Sequence, residues 1–212
     1  LEITPLYGVQ GNDKNNIPFL SPRWLEMLKY IEKEGLRDSI EIDMNCGTGW
    51  PFGGPTVPLK EAACKMAYID TVACEKECRS LDINIKNDKE RPFALLERVM
   101  AYPVNINKYK GAKAINITEY AKNGILTWKA PKKGDWRIIA LYVSRTRQKV
   151  KRAAPGGEGY VIDHFDSTAV AHYLKRFEDA FASSGTPYPH TFFNDSYEVY
   201  NADWTPSLLY EF

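Results

Sequence analysis

Ile40-Glu41-Ile42-Asp43-Met44-Asn45-Cys46-Gly47-Thr48-Gly49-Trp50-Pro51-Phe52-Gly53-Gly54-Pro55 is the stretch on which the reading of the fold turns. Ile40 to Met44 is a short apolar run and reads as a buried strand. The glycines and prolines that follow force a turn-rich loop that neither helix nor strand holds. Upstream, Leu1 to Tyr7 reads as a strand that runs into a Gly-, Asn- and Asp-rich loop, Gly8 to Leu20. Ser21-Pro22 is a paired helix start, Ser as N-cap and Pro at the first helical position. Trp24, Leu25, Leu28 and Ile31 then fall at helical spacing, and Gly35 ends the run. Strand, helix, strand is the βαβ unit of a parallel α/β protein.

Further along, the pattern changes twice. From Ala62 to Trp136 short alternating segments predict strands: Ala67–Val72, Ala94–Met100, Ala114–Ile117 and Gly124–Trp128. Asn- and Lys-rich turns separate them, and Trp136–Ser144 is a stronger strand. Asp166 to Ala182 then reads as a helix with an apolar stripe of Ala169, Val170, Tyr173, Leu174, Phe177 and Phe181, and Gly185 lies past its end. His190 to Asn194 reads as a buried strand. The whole predicts a partial (β/α)8 TIM-type barrel of the α/β class with a small antiparallel β insertion. The barrel occupies residues 1–63 and 137–212, and the insertion 64–136. Both ends of the chain read as cut, which makes it an internal fragment of a longer protein.

Composition excludes some functions. The 212 residues carry a net charge of +1, so there is no electrostatic case for nucleic acid or an anionic membrane. No run of about eighteen apolar residues exists to span a membrane. The basic run Arg145, Arg147, Lys149, Lys151, Arg152 reads as a solvated face, with binding of a uronate as the alternative. Cys74 and Cys78 are spaced to share one face of a helix, but the three histidines, His164, His172 and His190, lie far from them in sequence. A zinc site is therefore not expected, and free thiols are the default for Cys46, Cys64, Cys74 and Cys78, with one disulfide as the alternative. No GxGxxG, P-loop or GxSxG pattern is present.

The chemistry suits a sugar. Trp50 and Phe52 are flat apolar rings beside Asp43, Asn45 and Thr48 at a strand's C-terminal end. A pyranose offers C–H faces to stack on and hydroxyls to hydrogen-bond; a packed structural loop is the alternative. In a (β/α)8 barrel such strand ends form the active site. Three polar clusters qualify: Glu2 with Tyr7, Asp43 with Asn45, and Asp195 with Glu198. Cleaving a glycosidic bond takes two carboxyl groups, one protonating the departing oxygen and one acting as base or nucleophile. Glu198, between Tyr197 and Tyr200, is the catalytic candidate, its pKa expected to rise by partial burial; an ion pair with Arg or Lys is the alternative. Asp195 positions substrate or a neighbouring side chain. Glu158, between glycines, is free to meet a ligand or a cation. Asp163-His164 reads either as a hydrogen-bonded pair or as part of a helix cap. His172 reads as a packing histidine.

Three strings carry a family resemblance. They are NxGTGWPFGGP at Asn45–Pro55, KRAAPGGEGYVxDHF at Lys151–Phe165 and NDSYE at Asn194–Glu198. With Tyr7–Gly11 and Phe19–Trp24, they resemble the catalytic domain of glycoside hydrolase family 106, the α-L-rhamnosidases. The resemblance runs from end to end, with a poorly matched middle from about Cys64 to Trp136. It implies an exo-acting, inverting enzyme that removes terminal α-L-rhamnose from plant-type oligosaccharides or polysaccharides. It also implies Ca2+ as cofactor and a periplasmic or extracellular location. The expected site comprises catalytic Glu198 with Glu2, Asp43, Asn45, Trp50, Glu158, His164, Asp195 and Tyr197 binding substrate, and Glu2, Asp43, Asn45, Trp50, Glu158, His164 and Glu198 are expected to converge on one face of the parallel strands. As a fragment, the chain alone is expected to be inactive. The competing reading is a non-catalytic carbohydrate-binding module that stacks sugars on Trp50, Phe52 and Tyr197.

Overall fold

A computed structural model describes residues 1–104, 114–195 and 197–212. The polar stretch at 105–113, expected as a turn of the insertion, lies outside the described residues, as does Ser196. The chain divides into two units, Leu1–Cys64 with Thr146–Phe212, and Lys65–Arg145.

The first unit opens with β1 (Glu2–Ile3), α1 (Pro22–Asp38), β2 (Asp43–Asn45) and β3 (Gly53–Gly54). The capping chemistry explains where α1 starts. Ser21 has extended backbone, its Oγ accepts the Trp24 N–H at 3.3 Å, and Pro22 sits at the first helical position. The helix does not stop at Gly35, however. It runs on to Asp38 and ends at Ser39 in the left-handed region, φ 58°. Gly35 serves a close approach instead. A Cβ there would lie 2.7 Å from the Ile40 carbonyl oxygen and 3.0 Å from the Ile42 side chain. The chain turns back over the helix at that point, and the Ile40 N–H donates to the Gly35 carbonyl at 2.8 Å.

Gly35→Ala therefore sets two effects against each other. Alanine gains about 1 kcal/mol of helix propensity. The obstacle is a backbone carbonyl, which cannot swing aside, and overpacking costs about 1–3 kcal/mol. A net loss of about 1 kcal/mol is expected, seen as a Tm lower by roughly 2–4 °C. A raised Tm would show that the turn yields.

The second unit holds β4 (Cys64–Cys74, entered from the first unit), β5 (Leu81–Asp82), β6 (Leu95–Pro103), β7 (Ile115–Asn116), β8 (Ala121–Lys122), β9 (Ile125–Leu126) and β10 (Asp135–Arg145). The strands form two sheets, ordered β4-β10-β6-β7 and β5-β9-β8. β6 pairs antiparallel with β10, and β9 pairs antiparallel with β5 and β8. Along β10 the residues Trp136, Ile138 and Ala140 alternate inward as a pleat requires. A register shift at Leu141/Tyr142 breaks the alternation, and Tyr142, Val143 and Ser144 are then all buried. The core gathers Ile83, Val99, Ile117, Leu126 and Ile138 with an edge-to-face pair, Trp128 and Trp136, at 5.0 Å. Cys74 closes β4 and Cys78 sits in a short turn, so they share no helix face; none of the four cysteines forms a disulfide.

The chain returns to the first unit through β11 (Tyr160–Val161), α2 (Ser167–Ser184), β12 (Thr191–Phe193) and α3 (Leu208–Glu211). Asp166 caps α2 by accepting from the Thr168 and Ala169 N–H groups, and Gly185 ends it in the left-handed region. Ala169, Tyr173, Phe177 and Phe181 are buried along one stripe. Leu174, expected in that stripe, is 44% exposed. β2 is flanked by β1 and β12, both parallel to it. Met44 packs in one core with Leu25 and Leu28 of α1 and Tyr173, Phe177 and Phe181 of α2. One face of the sheet is thus the helix-packing face.

The (β/α)8 expectation is overturned. Among the described residues the parallel sheet has three short strands, no barrel closes, and most pairing is antiparallel in small sheets. A βαβ pattern dictates a local parallel crossover. It does not count strands, and closure is a property of the whole sheet. Leu1 to Tyr7 yields only the two-residue β1, and β12 has exposed Thr191 and Phe192 rather than a buried run. No helix among the described residues is long and apolar enough to cross a membrane.

Candidate functional site

The site is built from loops that leave the C-terminal ends of β1, β2 and β12. The β2 loop and the segment before α2 lie backbone against backbone. β3 pairs antiparallel with β11, Trp50 bridges to Lys151, and Lys149 bridges to Tyr160. Gly49 makes the approach feasible. Its φ is +57°, any Cβ would collide with the Lys151 carbonyl oxygen, and its N–H donates to the Pro5 carbonyl at 2.9 Å. The Thr48 hydroxyl donates to the Gly157 carbonyl at 3.2 Å. The glycines of the 155–159 loop therefore serve packing. Glu158 is exposed and accepts its own loop's Gly156 N–H at 2.9 Å, so the expected free-ranging carboxylate is a turn element.

Lys151 links two of the expected residues. Its backbone exchanges hydrogen bonds with Trp50, N to O at 3.1 and 2.9 Å. Its Nζ lies 3.6 Å from the Glu198 carboxylate and donates to the Tyr200 hydroxyl at 2.6 Å. Gln148 grips the same segment with both ends of its amide. Nε2 donates to the Glu198 carbonyl at 2.7 Å, and Oε1 accepts the Tyr200 N–H at 2.8 Å. Arg152 donates to the Tyr7 hydroxyl at 3.0 Å, and Lys149 lies 3.3 Å above the Tyr160 ring. Lys149, Lys151 and Arg152 are exposed, as a solvated face requires, and each is also laid on a tyrosine. Alternating cations close to a Tyr-rich sequence were the available signal. Glu198 itself has a side chain 44% exposed, with Lys151 as its partner.

The strand face opposite the helices carries a second group. The pleat puts Glu2, Asp43 and Thr191 side by side, with Asn45 two residues on from Asp43. Asp43 accepts from the Thr191 hydroxyl at 2.6 Å and approaches His190 Nδ1 at 3.3 Å. The Thr191 hydrogen bond, helped by His190 against a smaller opposing effect of burial, holds the Asp43 carboxyl below the usual range. Asn45 is fully buried and its Oδ1 has no hydrogen-bond partner. Glu2 is exposed.

His164 forms a third group with Tyr197. Their rings meet edge to face at 4.8 Å, and Phe52 stacks on His164 at 6.4 Å and on Tyr173 at 5.8 Å. Phe52 is thereby a packing residue. Burial lowers the His164 pKa, opposed by its contact with the Ile162 carbonyl, so the ring is neutral at pH 7. Nδ1 lies 3.1 Å from that carbonyl and carries the proton, which leaves Nε2 a buried acceptor without a partner. Asp163 does not pair with His164: its Oδ1 accepts the Phe165 N–H at 3.0 Å, next to the cap at Asp166. Tyr197 is half exposed, and burial raises its pKa, as does the Asp163 charge. His172 is exposed and contacts Glu61 at 3.1 Å rather than packing. Asp195 is exposed. Lys151 thus links Trp50 to Glu198, a ring contact joins His164 to Tyr197, and strand pairing sets Glu2 beside Asp43 with Asn45 on the same strand face, whereas Glu158 and Asp195 belong to none of these groups. Among the described residues no three His, Cys, Asp or Glu side chains are placed to hold a metal ion.

Comparison with known proteins follows from this geometry. A family model described as alpha-L-rhamnosidase, Glyco_hydro_106, matches residues 95–212. It covers the segments that hold Lys151, His164 and Glu198. No curated protein matches the chain. The structure of a rhamnosidase from Novosphingobium sp. PP1Y aligns with 100% of this chain at a TM-score of 0.64 and 15% identity, a likeness of fold. The chain spans 37% of that structure's length.

Proposed function

The chain belongs to the alpha-L-rhamnosidase family of glycoside hydrolases, and from that premise we propose that the whole protein releases terminal α-L-rhamnose from plant-type oligosaccharides or polysaccharides by acid–base catalysis with inversion. The observation that carries the reading is the Lys151 junction, which sets the exposed carboxylate of Glu198 in the same loop cluster as Trp50. Glu198 exchanges the proton with the reacting oxygen. Gln148 and Lys151 fix its backbone and its side chain, and Trp50 and Tyr197 offer rings to the sugar. Asp43, hydrogen-bonded by Thr191 and held ionised, is suited to accepting substrate hydroxyls rather than donating a proton. Ca2+ rests on the sequence resemblance; the described carboxylates do not assemble into a site for it, and no step is routed through it. Secretion belongs to the same proposal, because a glycan-degrading hydrolase meets its polymer outside the membrane.

The test is incubation of the whole protein with an aryl α-L-rhamnoside, following aryl release and the first-formed anomer by NMR. Rhamnose released first as the β-anomer supports inversion, and the α-anomer first would replace it with retention. The half-exposed rings of Tyr7, Tyr197 and Tyr200 favour a second reading, a carbohydrate-binding module. Saccharide binding without any turnover would select it.

A further inference from the structure

The segment 149–152 brings more positive charge to the loop cluster than the cluster neutralises. Lys149, Lys151 and Arg152 are all exposed. Lys151 has the Glu198 carboxylate at 3.6 Å. Among the described residues no carboxylate lies within ion-pair distance of Lys149 or Arg152. Both are nonetheless held in place. Lys149 lies 3.3 Å above the Tyr160 ring. The Arg152 guanidinium lies 5.4 Å from the Tyr7 ring centre and donates to the Tyr7 hydroxyl at 3.0 Å. The Tyr7 N–H donates in return to the Arg152 carbonyl at 3.0 Å. An ordinary solvated cation keeps its rotamer freedom, and holding it costs entropy. A tyrosine ring fixes a cation without neutralising it. Arg152 also lies inside the candidate site. It follows Lys151, whose backbone is bonded to Trp50 and whose Nζ reaches Glu198, and Tyr7 belongs to the loop that leaves β1.

What such a group recognises follows from its chemistry. A guanidinium is a planar fork of N–H donors that takes a carboxylate with two parallel hydrogen bonds. One Arg152 donor goes to Tyr7, and the others meet no acceptor among the described residues. Rhamnose is neutral, so it gives no use to unneutralised cations beside Glu198. A hexuronate does. It is a pyranose with a carboxylate at C6, which keeps the hydroxyls and the C–H face and adds one planar anion. Positive charge around the site also draws such a substrate in. We propose that Arg152, fixed by Tyr7 and aided by the field of Lys149, selects substrates in which the unit next to the terminal rhamnose is a hexuronate. The proposal rests on the rhamnosidase reading above and narrows its substrate class.

The experiment compares two substrates of the whole protein, an α-L-rhamnosyl-hexuronate and its methyl ester, which is uncharged and otherwise nearly the same. The readout is the ratio of their kcat/KM values, in which a general loss of active protein cancels. The acid is expected to be preferred about 10- to 100-fold, the worth of hydrogen bonds to a charged group. Arg152→Gln should lower that ratio about 10-fold. Arg152→Lys keeps the charge without the fork and should give an intermediate ratio. The natural protein supplies a test that needs no variant. Raising the salt from about 0.01 M to about 1 M shortens the Debye length from about 30 Å to about 3 Å, and the preference should fall with it. A ratio near one in the natural protein, or a preference that both Arg152→Gln and salt leave whole, would overturn the subsite. An aryl α-L-rhamnoside separates the two readings, because its turnover without any preference for the acid removes the subsite alone. If no rhamnoside is turned over, the rhamnosidase reading falls, and calorimetry with the same acid and ester still decides whether Arg152 takes the carboxylate.

Discussion

Glu198→Gln in the whole protein is expected to lower turnover of an aryl α-L-rhamnoside by about 10²–10⁴-fold with little change in KM. The amide keeps the size and most hydrogen bonds of the carboxyl group, so bound substrate sees nearly the same surface. What it loses is the proton, which it can neither give nor take. Folding should not confuse the result. The Glu198 side chain is 44% exposed and its ion pair with Lys151 spans 3.6 Å. Exposed pairs of this kind contribute roughly 0–1 kcal/mol. The segment is also held by Gln148 through the Glu198 carbonyl and the Tyr200 N–H, neither of which the substitution touches. A large drop in kcat at constant Tm is therefore the signature of chemistry, and near-wild-type turnover would remove Glu198 from the mechanism.

What could be read in the sequence was local. Ser21-Pro22 announced α1, and Asp166 with Gly185 bracketed α2, because a cap is decided by a few neighbouring atoms. Gly35 misled for the complementary reason. Its glycine answers the Ile40 carbonyl arriving from the next segment, and no property of the helix itself reveals that. The barrel failed on the same ground, since alternation of strands and helices specifies crossovers and leaves strand number open. At the site, long motif strings drew attention to Trp50, His164 and Glu198. Nothing in them showed that Lys151 would touch both Trp50 and Glu198, or that Gln148 would hold the Glu198 backbone. These are contacts between segments about 50 to 100 residues apart. The PGGEG loop looked like a flexible ligand loop, and two of its glycines proved to admit close neighbours, Gly159 the Gly54 backbone and Gly157 the Thr48 side chain. Unpartnered buried atoms such as Thr205 Oγ1 leave no mark in a sequence at all.

The stability of the first unit is expected to fall as pH rises from about 4.5 to about 7, and Glu32→Gln is expected to abolish that fall. Glu32 lies on the buried face of α1, 8% exposed, and neither carboxyl oxygen has a hydrogen-bond partner. Leu36, Ile40, Ile42, Pro187 and Tyr188 surround the cavity of about 600 Å³ that it lines, with Glu41 and His190 as the other ionisable groups there. Glu41 and His190 approach each other at 3.5 Å. Burial pushes the Glu32 carboxyl from its ordinary 4.5 up to about 7. The sign follows from which state holds the proton more tightly. Below pH 4.5 the folded and unfolded chains are both protonated at this site, and nothing is lost. Between 4.5 and about 7 the unfolded chain releases the proton while the folded chain keeps it, so stability declines. Above about 7 the full cost is in place, on the order of 3 kcal/mol at 1.36 kcal/mol per pKa unit. Glutamine keeps the shape and cannot ionise. Urea unfolding at steps from pH 4.5 to 8 should give a sloping stability for the natural chain and a flatter one for the variant, with the variant more stable at pH 8. His190→Gln, which removes the neighbouring imidazole, should leave the slope in place. Parallel pH curves for the natural chain and Glu32→Gln would show that Glu32 finds a proton-independent partner, and the buried, unpaired carboxyl would have to be given up.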